Sequence, residues 1–448
     1  MSIQPLPSGA PRACTAILPA LVAVAALAAA GGSAAEAADF APSDTYCQVA
    51  AYRSAGGEAA VMTKRDKGWR YLFVDGRYGF TNQSNPLAFC SDGGLEVKRP
   101  NGTIETWAKV PLRYTQTRFQ SDGSTLSGVL IEPQAAAGAK PPLVVFVHGS
   151  GDGGWIDGNY SEPYLFAAAG IAAFVYDKRG TGLSAGVYNQ NFRALAGDVA
   201  AAAAEARRLA GGRYGRVGLY GLSQGGWVAP LAAKASGADF LVIGYGGIFT
   251  PLEEDATQVF LELREKGYDD EVIAKAREVT DATGAVMASH FERGFDRLAA
   301  VKSKYGAEPW FKQIKGEFTG DLLTASETEL RANGRAEHDN LELEWDYDSM
   351  PVLRGLSTPI LWVNGLEDRE APIELTLSRL ATLQREGKPI TVANFPDTDH
   401  GIFEFTQAED GTRTYTRVAD GYYRLLTDWI TGRSSPPYGK AKIEPPPR

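Results

Sequence analysis

Serine attacks a carbonyl only when a base removes its proton, and one stretch of this chain is patterned to present a serine for that chemistry. Residues 219–226 read Leu-Tyr-Gly-Leu-Ser-Gln-Gly-Gly. Within them, Gly221-Leu222-Ser223-Gln224-Gly225 fits the Gly-x-Ser-x-Gly pattern, in which a strand turns abruptly into a helix with serine at the apex. So tight a turn leaves no room for a Cβ at either flank. The bare pentapeptide is common, so its context decides. Residues 216–220 read as a short buried strand. Residues 227–234 read as a helix start, with Pro230 tolerable only in the first turn. Strand, turn and helix come in the required order.

The serine needs a base within hydrogen-bond reach, and the base needs an orienting acid. The chain has four histidines, His148, His290, His338 and His400. His400 follows the last apolar strand pattern, in Asp397-Thr398-Asp399-His400-Gly401. Loops at the carboxyl ends of parallel strands share one edge of a sheet, which places His400 on the edge of Ser223. His290 and His338 sit in charged, helix-favouring sequence and read as solvated surface residues. The acid is expected in Asn364-Gly365-Leu366-Glu367-Asp368, closing another strand pattern. Asp368 is the choice and Glu367 the rival. Asp397 and Asp399 lie so near His400 in sequence that short-loop geometry makes them poorer orienters. The tetrahedral oxyanion needs preplaced N–H donors. One is expected from Gln224, which follows the nucleophile. The other is expected from Ser150, with Gly151 second, in His148-Gly149-Ser150-Gly151 after an apolar strand at 143–147. His148 then packs beneath that loop.

These motifs, in the order Ser223…Asp368…His400, resemble the α/β-hydrolase family of serine hydrolases over residues 113–432. Asp177-Lys178-Arg179-Gly180-Thr181-Gly182-Leu183-Ser184 is similar to a D-x-R-G-x-G-x-S segment of many such hydrolases, where the Asp and Arg fix loop geometry. The resemblance implies an α/β fold with a mostly parallel central sheet, helices on both faces and a helical cap inserted over the active site. The pattern of apolar strands alternating with helices supports that class independently. No buried-strand run interrupts residues 251–346, which read as the helical insertion. The core is therefore divided into 113–250 and 347–432. Residues 38–112 carry short strand patterns and many Gly turns, and read as a small β-rich module outside the common core. Its aromatics, Trp69, Tyr71, Phe73, Tyr78 and Phe80, read as a hydrophobic core rather than a carbohydrate platform. Residues 433–448 read as a disordered Pro-rich tail.

At 448 residues, with 44% hydrophobic and 22% charged, the composition is that of a globular protein. A net charge of −9 and a pI near 5.2 disfavour nucleic acid and anionic membranes as partners. Residues 1–37 read as a signal peptide. Arg12 precedes an apolar stretch at 16–30, and Ala35-Glu36-Ala37 fits the small-residue cleavage rule, which implies a secreted or periplasmic chain without an integral membrane span. Cys47 and Cys90 then remain as an even pair, and a disulfide is expected. Neither has metal-ligand neighbours in sequence, so no metal or cofactor is expected. The expected activity is cleavage of a small carboxylic ester through an acyl-enzyme. A capped amide hydrolase resembling proline iminopeptidases or other prolyl-peptidase-like enzymes is the alternative. A non-catalytic binding protein on the same fold is the reading from another class. A propeller-bearing peptidase does not fit, because too little chain precedes residue 113. A dehalogenase would carry Asp where this chain has Ser223.

Overall fold

The computed structural model describes residues 44–446 apart from 66–67, 135–137 and 157–159. The segment read as a signal peptide, 1–37, lies outside the described residues. Contacts divide the described chain into two compact units, one of residues 262–340 and one of the remainder.

The larger unit begins with seven strands: β1 (Ala50–Arg53), β2 (Ala59–Arg65), β3 (Gly68–Phe73), β4 (Tyr78–Phe80), β5 (Ala88–Ser91), β6 (Gly94–Lys98) and β7 (Ile104–Lys109). Their order is β4-β3-β2-β1-β7-β6-β5, and every neighbouring pair is antiparallel. The sheet is buried on both faces. Ala60, Met62, Tyr71, Phe73 and Trp107 form a core of its own. Ala51, Val61 and Leu72 join Tyr164 and Leu165 in a core shared with the rest of the unit. Tyr71 and Phe73 are thus core residues as expected, while Trp69, Tyr78 and Phe80 are only partly buried. A disulfide joins Cys47 to Cys90, with Cα atoms 5.2 Å apart. Gly76 marks a close approach to the following sheets. Its φ is +90°, and a Cβ there would lie 2.0 Å from the Val418 carbonyl oxygen.

A hairpin follows, β8 (Leu112–Ser121) and β9 (Ser124–Pro133). Asp122 and Gly123 both take positive φ, the two-residue turn that Asp-Gly favours. Next come β10 (Leu143–Val147), α1 (Glu162–Ala168), β11 (Ala172–Tyr176), α2 (Phe192–Ala210), β12 (Val217–Leu222), α3 (Gly225–Ser236), β13 (Phe240–Gly244) and α4 (Pro251–Glu265). The smaller unit holds α5 (Asp270–Ala288), α6 (Phe295–Tyr305), α7 (Thr319–Thr324) and α8 (Glu327–His338). The chain continues with α9 (Met350–Arg354), β14 (Ile360–Gly365), α10 (Ile373–Arg385), β15 (Ile390–Phe395), β16 (Thr398–Asp399), β17 (Phe403–Gln407), β18 (Arg413–Val418), α11 (Tyr422–Thr431) and β19 (Lys442–Glu444).

The main sheet runs β19-β15-β14-β13-β12-β10-β11-β9-β8, and β16-β17-β18 form a small separate sheet. The six strands from β15 to β11 are mutually parallel. The strand β10 shows why such strands are continuous apolar runs. Leu143, Val145 and Val147 face a core with α2 and α3, while Val144 and Phe146 face one with α1 and α11. The chain leaves β10 for β11 on one side and returns to β12 on the other. The two loops after β10 and β12 therefore diverge at a switch point, where α/β sheets form a crevice.

Residues 251–346 contain helices and no strand. Within the smaller unit, Thr283 and Thr319 hydroxyls meet at 2.7 Å in the interior. Ser326 and Glu329 close a reciprocal capping box at the start of α8. His290 is exposed and 2.6 Å from an Asp339 carboxylate oxygen. His338 departs from expectation: it stacks on Phe291 and is mostly covered, because an imidazole facing an aromatic ring gains by excluding water.

Two further expectations are corrected. Residues 433–448 are not a wholly disordered tail: Lys442–Glu444 pair antiparallel with β15, and Tyr438 is buried. An edge strand needs only free backbone groups on its neighbour, and β15 supplies them. Pro230 lies beyond the first turn of α3, because the helix starts at Gly225, two residues past the serine. The surrounding residues Trp227, Val228 and Ala229 are buried, which offsets the lost backbone bond.

Replacing both cysteines (C47A with C90A) opens a loop of sequence separation 43. The chain-entropy treatment gives a loss of about 4 kcal/mol. Denaturant titration should show a lower midpoint for the double variant, and equal midpoints would deny the bridge a stabilising part.

Candidate functional site

The turn from β12 into α3 holds Ser223 at φ +52°, a left-handed conformation that side chains other than Gly rarely adopt. Such a residue costs about 1–3 kcal/mol and persists only where its surroundings enforce it. The surroundings do so here. Ser223 N donates to Gly244 O at 3.0 Å, and Gly226 N donates to Ser223 O at 2.7 Å. A Cβ on Gly221 would stand 2.4 Å from Gly225 O, and one on Gly225 would stand 2.9 Å from Val147 O. Both flanking glycines are therefore required sterically. Gln224 is the N-cap of α3, where helix geometry leaves leading N–H groups without intrahelical partners.

His400 leaves the short strand β16 on a 3-10 turn, with Gly401 at φ +73°. Its Nε2 lies 3.1 Å from Ser223 Oγ, and its Nδ1 lies 2.8 Å from Asp368 Oδ2. Because the carboxylate can only accept, in the neutral imidazole Nδ1 carries the proton and Nε2 is left to accept from the serine hydroxyl. Asp368 is buried in the turn after β14. Its other oxygen accepts from the Glu370 and Ala371 N–H groups at 3.0 and 2.8 Å. The Glu367 carboxylate lies 3.5 Å from Arg413, which also donates to the Glu367 backbone carbonyl oxygen at 2.6 Å. Asp399 is buried but serves the loop. It accepts from the N–H groups of His400 and Arg369, and pairs with Arg413 at 2.7 Å. Burial alone would raise the Asp399 carboxyl; Arg413 and those two N–H groups outweigh it and hold it below the usual range.

Burial pushes the His400 imidazole toward its neutral form. The Asp368 carboxylate, the Glu370 carboxylate and Asp399 oppose this and raise it above its ordinary value. Glu370 was not anticipated from sequence. Its carboxylate, more than half exposed, is 3.5 Å from His400 Nε2, on the serine side of the ring. Tyr245 was also missed; it sets its ring edge-on to the imidazole at 4.8 Å. Glu370 lies two residues past Asp368, but only the folded turn shows which way it faces.

The loop after β10 completes the neighbourhood. His148 is buried, donates from Nε2 to Tyr176 O at 2.6 Å and stacks on Trp155 at 4.0 Å. Burial first, and the nearby Lys178 charge second, lower its proton affinity, so it is a neutral packing residue. Gly149 lies against the elbow: a Cβ there would be 3.4 Å from Ser223 Cβ. Ser150 is exposed, and its carbonyl oxygen accepts from the Tyr188 hydroxyl and from Gln190 Nε2. A Cβ on Gly151 would meet nothing within 4 Å, which sets that residue in more open space.

The Asp177-Lys178-Arg179 segment braces this loop. Asp177 accepts from the N–H groups of Trp155 and Ile156 at 2.6 and 3.0 Å, and from Leu183 at 2.8 Å. Arg179 makes a two-pronged pair with buried Asp198. A separate surface cleft of about 520 Å³ is lined by Arg113, Glu132, Arg213 and Tyr214 and by none of the residues above. Among the described residues no group of three or more His, Cys, Asp or Glu is arranged to hold a metal ion. Among them, too, no helix is long and apolar enough to cross a membrane.

A search of curated proteins returned no match. Among solved structures, the chain is similar to an acylaminoacyl peptidase from Pyrococcus horikoshii at 18% identity and a TM-score of 0.44. That match covers 88% of this chain and 58% of the peptidase, so this chain spans well under two thirds of that protein's length. It is similar to an esterase from Pyrococcus furiosus at 14% identity and a TM-score of 0.39, over 64% of this chain and 84% of the esterase. It is similar to a puromycin-hydrolyzing peptidase from Mycobacterium tuberculosis at 16% identity and a TM-score of 0.42, over 88% of this chain and 55% of that one. The model of the alpha/beta hydrolase family matches residues 144–412, which take in the elbow, the loop after β10 and the turns bearing Asp368 and His400; the chain belongs to that family.

Proposed function

We propose that this alpha/beta hydrolase is an exported serine hydrolase that cleaves carboxylic esters through an acyl-enzyme. The observation that carries the reading is the hydrogen-bond chain from Ser223 Oγ through His400 to Asp368. In the first step Ser223 Oγ attacks the ester carbonyl carbon, and its proton passes to His400 Nε2. Asp368 holds the imidazole in the tautomer that can accept this proton and favours the resulting positive charge. The tetrahedral oxyanion is held by the N–H groups of Gln224 and Ser150. As the intermediate collapses, the alcohol leaves with the proton from His400. Water then repeats the sequence on the acyl-serine and frees the acid. The reaction needs no cofactor. The Cys47–Cys90 bridge supports export, since such bonds persist in oxidising compartments.

A fluorophosphonate probe tests the assignment. One adduct is expected, on Ser223, and none on S223A. An unlabelled wild type would favour a binding protein. Turnover of nitrophenyl esters should exceed that of aminoacyl nitroanilides, and the reverse order would make the chain an amide hydrolase. The substitution D368N should lower kcat by about 10³–10⁴, because the imidazole loses its tautomer.

The carboxylates around His400 also set a pH dependence. The imidazole must be neutral to accept the serine proton, so activity is present above its titration and is lost as pH falls through it. Glu370 raises that titration. The substitution E370Q should therefore move the acid limb of the kcat/KM profile to lower pH. An unmoved or upward-moved limb would show that Glu370 does not act on the imidazole.

A further inference from the structure

Lys178 is covered almost completely, with 2% of its surface exposed, although its neighbours in sequence already brace the loop after β10. A buried ammonium is costly unless it is paired, yet among the described residues it forms no ion pair within 4 Å. Its Nζ donates instead to the Gly149 carbonyl oxygen at 2.9 Å, and lies 5.0 Å from the centre of the Tyr188 ring. Asp152 acts on it only through its more distant charge.

The acceptor gives this placement a consequence. The Gly149 carbonyl and the Ser150 N–H belong to one planar trans peptide and point in opposite directions. A cation on the carbonyl end both fixes the plane and draws electron density from the nitrogen, which makes the N–H a stronger donor. Gly149 is also the residue of this loop that lies against Ser223. The next peptide is held separately, through the Ser150 carbonyl oxygen, by Tyr188 and Gln190. Each carbonyl is therefore anchored on the side of residues 178–190, and the two peptides cannot rotate independently of them.

We propose that Lys178 is a positioning residue of the oxyanion hole: its buried Nζ fixes and polarises the Gly149–Ser150 peptide, so that the Ser150 N–H meets the developing oxyanion already oriented. This rests on the serine hydrolase reading above. Lys178 touches no reacting atom and takes no proton from substrate. Burial lowers its proton affinity to about 7, partly opposed by Asp152, and Nζ can donate to the Gly149 carbonyl oxygen in either protonation state.

The test uses K178M, which keeps the stem and removes charge and donor, and K178Q, which keeps a neutral donor on a shorter stem. Both are compared with wild type in kcat and KM on a nitrophenyl ester and in the Ki of a boronic acid that forms a tetrahedral adduct with the serine. For K178M, kcat should fall about 10–100-fold, somewhat less than loss of a whole oxyanion donor. KM should stay within about threefold, and the boronate Ki should weaken by the same factor as kcat. K178Q should show the same pattern with a smaller loss. A kcat within twofold of wild type in a folded variant would overturn the proposal, as would a fall in kcat with unchanged boronate affinity. Failure of both variants to reach a wild-type melting transition would assign Lys178 to stability alone and overturn it equally. A wild type that is inert toward esters and toward the phosphonate probe would defeat the serine hydrolase reading itself, which no outcome with the Lys178 variants alone can do.

Discussion

The left-handed backbone at Ser223 is the constraint on which the site depends. It turns the chain so sharply that α3 starts two residues past the serine, with no space for side chains at positions 221 and 225. The turn stands between β10 and β13, in the middle of a sheet buried on both faces. Strand register then determines what can reach it. Parallel pairing of β12 with β10 brings in the loop at 148–150, and pairing through β13 and β14 to β15 brings in the turns that carry Asp368 and His400. The strain of one residue is thus upheld by the packing of the whole sheet, which is how a sparsely populated conformation survives in a folded chain.

Two buried carboxylates near the imidazole show how environment divides labour between like groups. Asp399 is taken up by Arg413 and by N–H groups of its own loop, so its charge is spent on holding the turn. Among the described residues Asp368 has no Arg or Lys as a hydrogen-bond partner; two N–H groups orient it, and its remaining oxygen goes to His400. The carboxylate that keeps capacity for the imidazole is therefore the one without a guanidinium. On the opposite side of the ring, Glu370 adds negative charge close to Nε2. The imidazole sits between carboxylates at both nitrogens, in a setting that favours its cation.

Much of this was legible in the sequence because each part leaves a local signature. Gly221 and Gly225 encode the steric demand at the elbow. The run 143–147 encodes a strand covered on both faces, and Asp122-Gly123 encodes a two-residue hairpin turn. Asp368 and Glu367 stand side by side in one acidic turn, and only the fold separates them: Asp368 Oδ2 faces His400 Nδ1, while the Glu367 carboxylate lies 3.5 Å from Arg413. Contacts made between loops left no such signature. Glu370, Tyr245 and Lys178 act through neighbours brought close only by strand register and by the direction of a turn. Composition misled in three places. Prolines near the carboxyl end suggested disorder, but β19 pairs through its backbone. Pro230 suggested a helix boundary that buried packing overrides. The charged surroundings of His338 concealed the ring of Phe291 beneath it.

If Ser223 and His400 work as one unit, removing either should abolish the same function, and removing both should cost little more. The direct measurement is kcat on a nitrophenyl ester for S223A, H400A and the S223A/H400A double variant, each verified as folded. Equal residual rates in all three are predicted. A double variant slower than each single by the product of their separate effects, or an H400A rate near that of wild type, would contradict a shared proton relay.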